Sequence, residues 1–250
     1  MSRGGQFPVC RMCGRSEAAC KSHIIPKQFF RRLLNGDKHL YAVKNDPSFS
    51  REFFQNGIWE QGILCPDCDN LLGGLDSYGY EVLPAELDAN KIREIATGPF
   101  IYEFGTIDQE TFHRFLIAVA WRASNARHGF FGKVSLGPFE DRFLRILKGD
   151  RAEDLDVDSV IVHQNPGRIG PVMFPPVKTR YGSVNVIQLY LCPWKILLKV
   201  DRRPFEPPFD RLRTNFGENV TALMINDFAD GEAHQLGRLQ EFLRSGRGWS

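Results

Sequence analysis

"VCRMCG" (residues 9–14) and "LCPDCDNLL" (residues 64–72) are the two stretches that decide how the first third of this chain folds. Each carries a Cys-x-x-Cys pair: Cys10 with Cys13, then Cys65 with Cys68. A tight turn presents two thiolates on one side, and two such turns complete the tetrahedron that zinc prefers, with Zn–S distances of about 2.3 Å. Gly14, directly after Cys13, suits the turn because it has no Cβ to oppose a left-handed backbone. Two disulfides would use the same four residues, but a reducing cytosol disfavours them. A redox Cys-x-x-Cys accounts for one pair and not for two. The spacing therefore predicts a structural Zn2+ on Cys10, Cys13, Cys65 and Cys68. Cys20 is a less regularly spaced substitute for one ligand, and Cys192, inside "LYLCPWKILL", reads as a small buried hydrophobe.

Between the two pairs stands "ACKSHIIPKQFFRR" (residues 19–32), in which His23 sits in a short apolar strand that breaks at Pro26. Proline fits the first position of a helix, where its missing N–H costs nothing. In that helix Phe29, Phe30, Leu33 and Leu34 form the buried side, and Lys27, Gln28, Arg31 and Arg32 the opposite, basic side. Such a side is either solvated or turned towards phosphate. On residue type alone His23 is a catalytic base, a zinc ligand or a core residue hydrogen-bonded to backbone. After the second pair a helix is predicted to open at Cys68. Gly73 and Gly74, each about 1 kcal/mol worse than alanine in a helix, predict that it is short or kinked.

The 250 residues are 42% hydrophobic, enough to build one large core or two smaller ones. The longest apolar run, residues 184–200, is broken by Pro193 and Lys195, so no membrane helix is predicted. Residues 1–5 carry no apolar leader, which predicts a cytoplasmic protein. A formal charge of +2 is too small to mark a general nucleic-acid binder, but it is unevenly spread. In the first 40 residues Arg3, Arg11, Arg15, Lys21, Lys27, Arg31, Arg32 and Lys38 face only Glu17 and Asp37 as acids. A second basic cluster is Arg202, Arg203, Arg211 and Arg213. Four thiolates around one dication offset the small formal charge, so attraction to nucleic acid has to be local.

Beyond residue 87 the patterning changes. Helical spacing of apolar residues predicts helices over residues 108–127 and 138–147. β-Branched and aliphatic runs predict strands over 157–163, 184–191 and 195–200, the last two joined as a hairpin by "CPW". Three prolines make 202–209 a loop, and 232–243 reads as a terminal helix. The fold class expected is α+β. Residues 1–86 form a zinc-binding domain, and residues 87–250 a mixed α/β domain for recognition of substrate or partner. His39, His113, His128, His163 and His234 show no ligand spacing and read as structural or surface residues.

The order of a first knuckle, an "SHIIP" histidine strand and a second knuckle opening a helix resembles the HNH, or ββα-metal, endonucleases built on a treble-clef zinc finger. "CKSHIIPKQF", "GILCPDCDNLL" and the later "AVAWRAS" are also similar to a widespread group of uncharacterised bacterial HNH-like proteins, most closely in the first third. The resemblance implies that His23 is a general base taking a proton from the water that attacks phosphorus. A divalent Mg2+ or Mn2+ then stabilises charge on the phosphate. Asp69, directly after the second knuckle, matches the family's metal ligand, with Asp where Asn is commoner. Ser22 stands where the family usually has an acid, and Gly73 where many members have histidine or asparagine. Asp76 compensates only if the helix kinks, because seven residues of unbroken helix rise about 10.5 Å. Glu60 is a further candidate acid. The partner implied is nucleic acid, DNA ahead of RNA, with Lys27, Arg31 and Arg32 against its phosphates. A protein partner through the second domain and a role in bacterial defence are also implied. The alternative is a catalytically inactive, zinc-stabilised module that binds nucleic acid or protein.

Overall fold

From the first knuckle the chain enters β1 (Lys21–His23), passes Pro26 and makes the five-residue helix α1 (Lys27–Arg31). Pro26 is the residue that caps this helix rather than its first member. β2 (Leu40–Val43) and β3 (Arg51–Phe54) pair antiparallel with each other, and β4 (Trp59–Gln61) returns to pair antiparallel with β1. α2 (Pro66–Val82) follows at once. It starts two residues before the expected Cys68, because Pro66 needs no backbone donor in the first turn and Cys65 is already the extended cap. It also runs through Gly73 and Gly74 without a break. Both lie on its open side, whereas Leu72, Asp76 and Gly79 are buried, and that burial outweighs the two glycine penalties. This computed structural model describes residues 8–15, 17–34, 40–43, 51–54, 57–94, 100–132, 134–151, 157–164, 173–207, 209–214 and 219–225.

After β5 (Ile92–Glu94) and β6 (Phe100–Gly105), the Asp108 carboxylate accepts from the Thr111 N–H at 3.0 Å and caps α3 (Gln109–Asn125). Phe112, Phe115 and every residue from Leu116 to Ala123 are buried, so α3 is the central helix of the molecule. α2 packs against it so closely that a Cβ on Gly79 would run into the Phe115 ring. α4 (Phe139–Lys148) packs on it too, inserts Phe143, Ile146 and Leu147, and stops at Gly149, whose φ of 130° is open to glycine.

The remaining strands are β7 (Ser159–Gln164), β8 (Val177–Tyr181), β9 (Val184–Leu191), β10 (Trp194–Lys199) and β11 (Val220–Ile225). With β5 and β6 they form a seven-stranded sheet in the order β5-β6-β11-β7-β10-β9-β8. Its pairs are antiparallel except for β11 with β7. β7, β9 and β10 answer the three expected strands, and "CPW" turns β9 into β10. Alternation divides their side chains: Ile161, Ile187, Leu189, Trp194, Ile196 and Leu198 face the helices, while Val160, Val162, Val184, Val186 and Leu197 join Phe205 on the other side. Of the expected loop over 202–209, residues 202–207 form no helix or strand, residue 208 lies outside the described residues, and Phe209 opens a short 3-10 turn (Phe209–Arg211); the expected helix over 232–243 also lies outside them.

The fold is α+β. Ile24, Ile25, Phe29 and Leu72 from the cysteine-bearing part share one apolar cluster with Phe112, Phe115 and the inner sheet face, so the core runs without a seam past residue 86. No helix among the described residues is long and apolar enough to cross a membrane.

Candidate metal centre

Cys10, Cys13, Cys65 and Cys68 converge on one point. Their Sγ atoms all lie within 4.8 Å of one another, and those of Cys13 and Cys65 are 3.8 Å apart. None of the four is in a disulfide, and the cluster can hold a metal ion. The backbone explains the convergence. Gly14, at φ 70°, donates its N–H to the Cys10 carbonyl at 2.9 Å and closes the first turn. The Arg11 N–H donates to the Ile63 carbonyl at 2.9 Å and the Cys20 N–H to that of Leu64 at 3.3 Å, which ties the first turn to the second. Cys65 caps α2 and Cys68 lies in its first turn, so the positive end of the helix dipole faces the sulfurs. Burial first, and then the neighbouring sulfurs of the cluster, push the Cys65 and Cys68 thiols up, and a bound cation would reverse this because a coordinating thiol is deprotonated. Cys20 stands outside the cluster, its thiol raised by burial and then by the charge of Asp69.

His23 ends β1, half-buried and directly opposite Trp59 of β4, and is not a member of the four-sulfur cluster. Asp69 occupies the first turn of α2, half-buried, its N–H donating to the Cys65 carbonyl at 2.9 Å. Asp76 is spent elsewhere. Its carboxylate takes two hydrogen bonds from the buried Arg122 guanidinium, at 2.8 and 2.6 Å, and so joins α2 to α3. The unbroken helix also denies the kink that would bring Asp76 towards Asp69. Glu60 accepts from the N–H groups of Arg127 at 2.6 Å and His128 at 3.3 Å, fastening β4 to the chain that leaves α3. Ser22 is fully buried and its hydroxyl has no hydrogen-bond partner among the described residues.

The basic residues of α1 part company. Lys27 and Arg31 are exposed, whereas Arg32 folds inward. Its guanidinium lies over the rings of Phe29, at 4.7 Å, and Tyr80, at 4.3 Å. It donates to the carbonyls of Leu83 at 2.6 Å, Tyr80 at 3.3 Å and Cys192 at 3.4 Å. Burial lowers its pKa from the usual arginine value. The physical reason is the C-terminus of α2, whose last carbonyls need donors that α1, ending at Arg31, can supply from its next residue.

Two groupings lay outside the sequence reading. Lys21 holds its ammonium 4.6 Å from the centre of the exposed Trp59 ring, beside His23 on the outer face of the β1–β4 pair, a hairpin only in the loose sense that α1, β2 and β3 lie in the connection between its strands. The alternation of "KSH" and "WEQ" signals this face only once their register is known. The second is a buried chain in which His113 Nε2 and Thr214 Oγ1 are 2.7 Å apart and Ser159 Oγ and Thr214 Oγ1 2.9 Å, with Asp158 and Arg213 adjoining. Burial lowers the His113 pKa, and Ser159 and Thr214 are closed to solvent, so the chain joins α3 to β7 rather than meeting a substrate. Compared with family models, curated proteins and solved structures, the sequence and fold match none.

Proposed function

We propose that the chain is an HNH-like, metal-dependent endonuclease that hydrolyses phosphodiester bonds of nucleic acid. One observation carries this reading: His23 ends one strand of a hairpin whose other strand leads through a cysteine pair into a helix, and the four-sulfur cluster is complete without it. The order β1, β4, α2 is that of a ββα unit. The 3.8 Å between Cys13 and Cys65 sulfurs is the edge of a regular tetrahedron with Zn–S near 2.3 Å, so the cluster is read as a treble-clef zinc site. Four thiolates leave no open position on that zinc, and its role is to hold the hairpin against α2.

In this reading the His23 imidazole takes the proton from the attacking water. Asp69 offers a hard oxygen ligand, and a Mg2+ or Mn2+ ion held there supplies charge stabilisation at the phosphate. Lys27 and Arg31 attract the backbone, without Arg32. The test is incubation with plasmid and with single-stranded DNA and RNA, in magnesium, manganese or EDTA. Cleavage that needs the metal is expected, and no cleavage of any substrate with either metal overturns the proposal.

A second reading, a zinc-stabilised binding module without activity, has its own support. Asp76 and Glu60 are both engaged and Gly73 has no side chain, which leaves Asp69 as the remaining acid of the proposed set. Retained binding without cleavage decides in its favour.

A further inference from the structure

The outer face of the β1–β4 hairpin is built for something flat and charged. Residues opposite each other in an antiparallel pair share a face, so Lys21 and His23 stand with Gln61 and Trp59. Trp59 is 45% exposed, a large aromatic left in solvent on a short and otherwise polar face. The Lys21 ammonium sits 4.6 Å from the centre of the indole. At the Gln61 end the face continues into a cleft of 220 Å³ lined by Pro8, Gln61, Gly62 and the exposed Arg127. That end is rigid, because Gln61 donates to the Ala19 carbonyl at 2.8 Å and Glu60 clamps the backbone of Arg127 and His128. The exposed indole thus has one cation against it, Lys21, and a second, Arg127, in the cleft beyond Gln61.

We infer that this face binds an unpaired strand of nucleic acid, with one base stacked on Trp59 and the neighbouring phosphates at Lys21 and Arg127. Every base has a π-face, and stacking on an aromatic side chain needs that face uncovered. In a duplex both faces of each base are already stacked, and the indole adds nothing to phosphate contacts. The substrate class is therefore single-stranded or locally opened nucleic acid. Trp59 is a specificity-determining residue, directly across the hairpin from His23. The inference rests on the nucleic-acid reading above, and stacking beside His23 would place an adjacent phosphate near the proposed base.

Binding is measured by fluorescence anisotropy without added magnesium or manganese and without chelator, so that the cysteine cluster stays loaded, with labelled oligo(dT), oligo(U) and a duplex of matched length. The intact protein is expected to prefer a single strand to the duplex. Trp59→Ala should weaken single-strand binding about tenfold or more at unchanged zinc content, while Trp59→Phe keeps most of it. Lys21→Gln and Arg127→Gln should each flatten the salt dependence by about 0.7 units of slope. A fall for both oligonucleotides supports a platform common to DNA and RNA, and a fall for one assigns it to that sugar. If Trp59→Ala loses zinc, Trp59→Leu takes its place. Binding that is equal in parent and variant, stronger for the duplex, or absent altogether overturns the inference. Loss of cleavage with binding intact removes only the nuclease.

Discussion

The β1–β4 hairpin and the strands β7 and β10 are both antiparallel ladders, and they are held by opposite means. The hairpin has three residue pairs, an outer face in solvent and only Ser22 fully buried in its strands. β7 and β10 are buried at every position. A ladder as short as the hairpin is marginal in water, so its order has to come from the four cysteines that bracket it and from α2 behind it. The central strands draw theirs from apolar burial on two faces. The helices between them are joined where Phe29 of α1 stacks on Phe115 of α3, with ring centres 6.1 Å apart, and where Asp76 of α2 pairs with Arg122 of α3. If the cysteine cluster holds zinc as proposed, the difference teaches that a chain with one continuous core can still contain a region whose order is conditional on an ion.

The largest effect should come from removing that ion. One zinc per chain is expected by elemental analysis. Metal-binding energy in small zinc modules is about 10–16 kcal/mol, so a strong chelator or Cys65→Ser should abolish hydrogen-exchange protection in β1 and β4. β9 and β10 should keep theirs. Protection lost from both ladders together, or from neither, breaks the comparison.

Next comes the junction. Asp76→Ala leaves the buried Arg122 guanidinium without its carboxylate and should cost about 3–5 kcal/mol in denaturant unfolding. Replacing both residues by apolar ones of similar volume should recover most of it.

A third test concerns the sheet alone. His163 packs its ring 5.0 Å from that of Trp194, and burial pushes its pKa down to about 4. The unfolded chain binds this proton near pH 6.5 and the folded chain does not. The contribution is therefore complete above about pH 6.5 and is lost as pH falls from there towards 4. About 2–3 kcal/mol should disappear over that window, and His163→Phe should flatten the curve.

The smallest effect is at the α2–α3 contact. Gly79→Ala puts a methyl into the Phe115 ring and should cost about 1–3 kcal/mol, with Gly74→Ala, in open space, neutral or stabilising.

What could be read from the sequence follows the range of the interaction responsible. The cysteine pairs, α3, α4 and the β9–β10 hairpin rest on spacing within one segment, and periodicity reveals them. Helix phase places Arg32 with Lys27 and Arg31 because it treats every cation on one side alike. Its real partners are the carbonyls at the end of α2 and at Cys192. Asp76 is likewise bound to an arginine 46 positions away, which no local pattern reports. The kink expected at Gly73 and Gly74 fails for the same reason, since α3 supports α2 along its other side. β6 (FIYEFG) and β11 (VTALMI) are short, mainly apolar runs, which periodicity alone does not assign to strand or helix, and their neighbours in the sheet decide.

The proposed chemistry requires that His23 stand apart from the zinc proposed for the four-cysteine cluster. His23→Ala, assayed for zinc content, thermal midpoint and cleavage of plasmid in magnesium, tests this most directly. Zinc and midpoint should stay near those of the parent while cleavage falls by about 100-fold or more. Asp69→Ala should also lose activity but regain part of it at high magnesium or manganese, because mass action restores a weakened ion and not a missing base. A variant that loses zinc or unfolds makes His23 a ligand or a core residue, and one that cleaves like the parent removes it from the chemistry; either result contradicts the account.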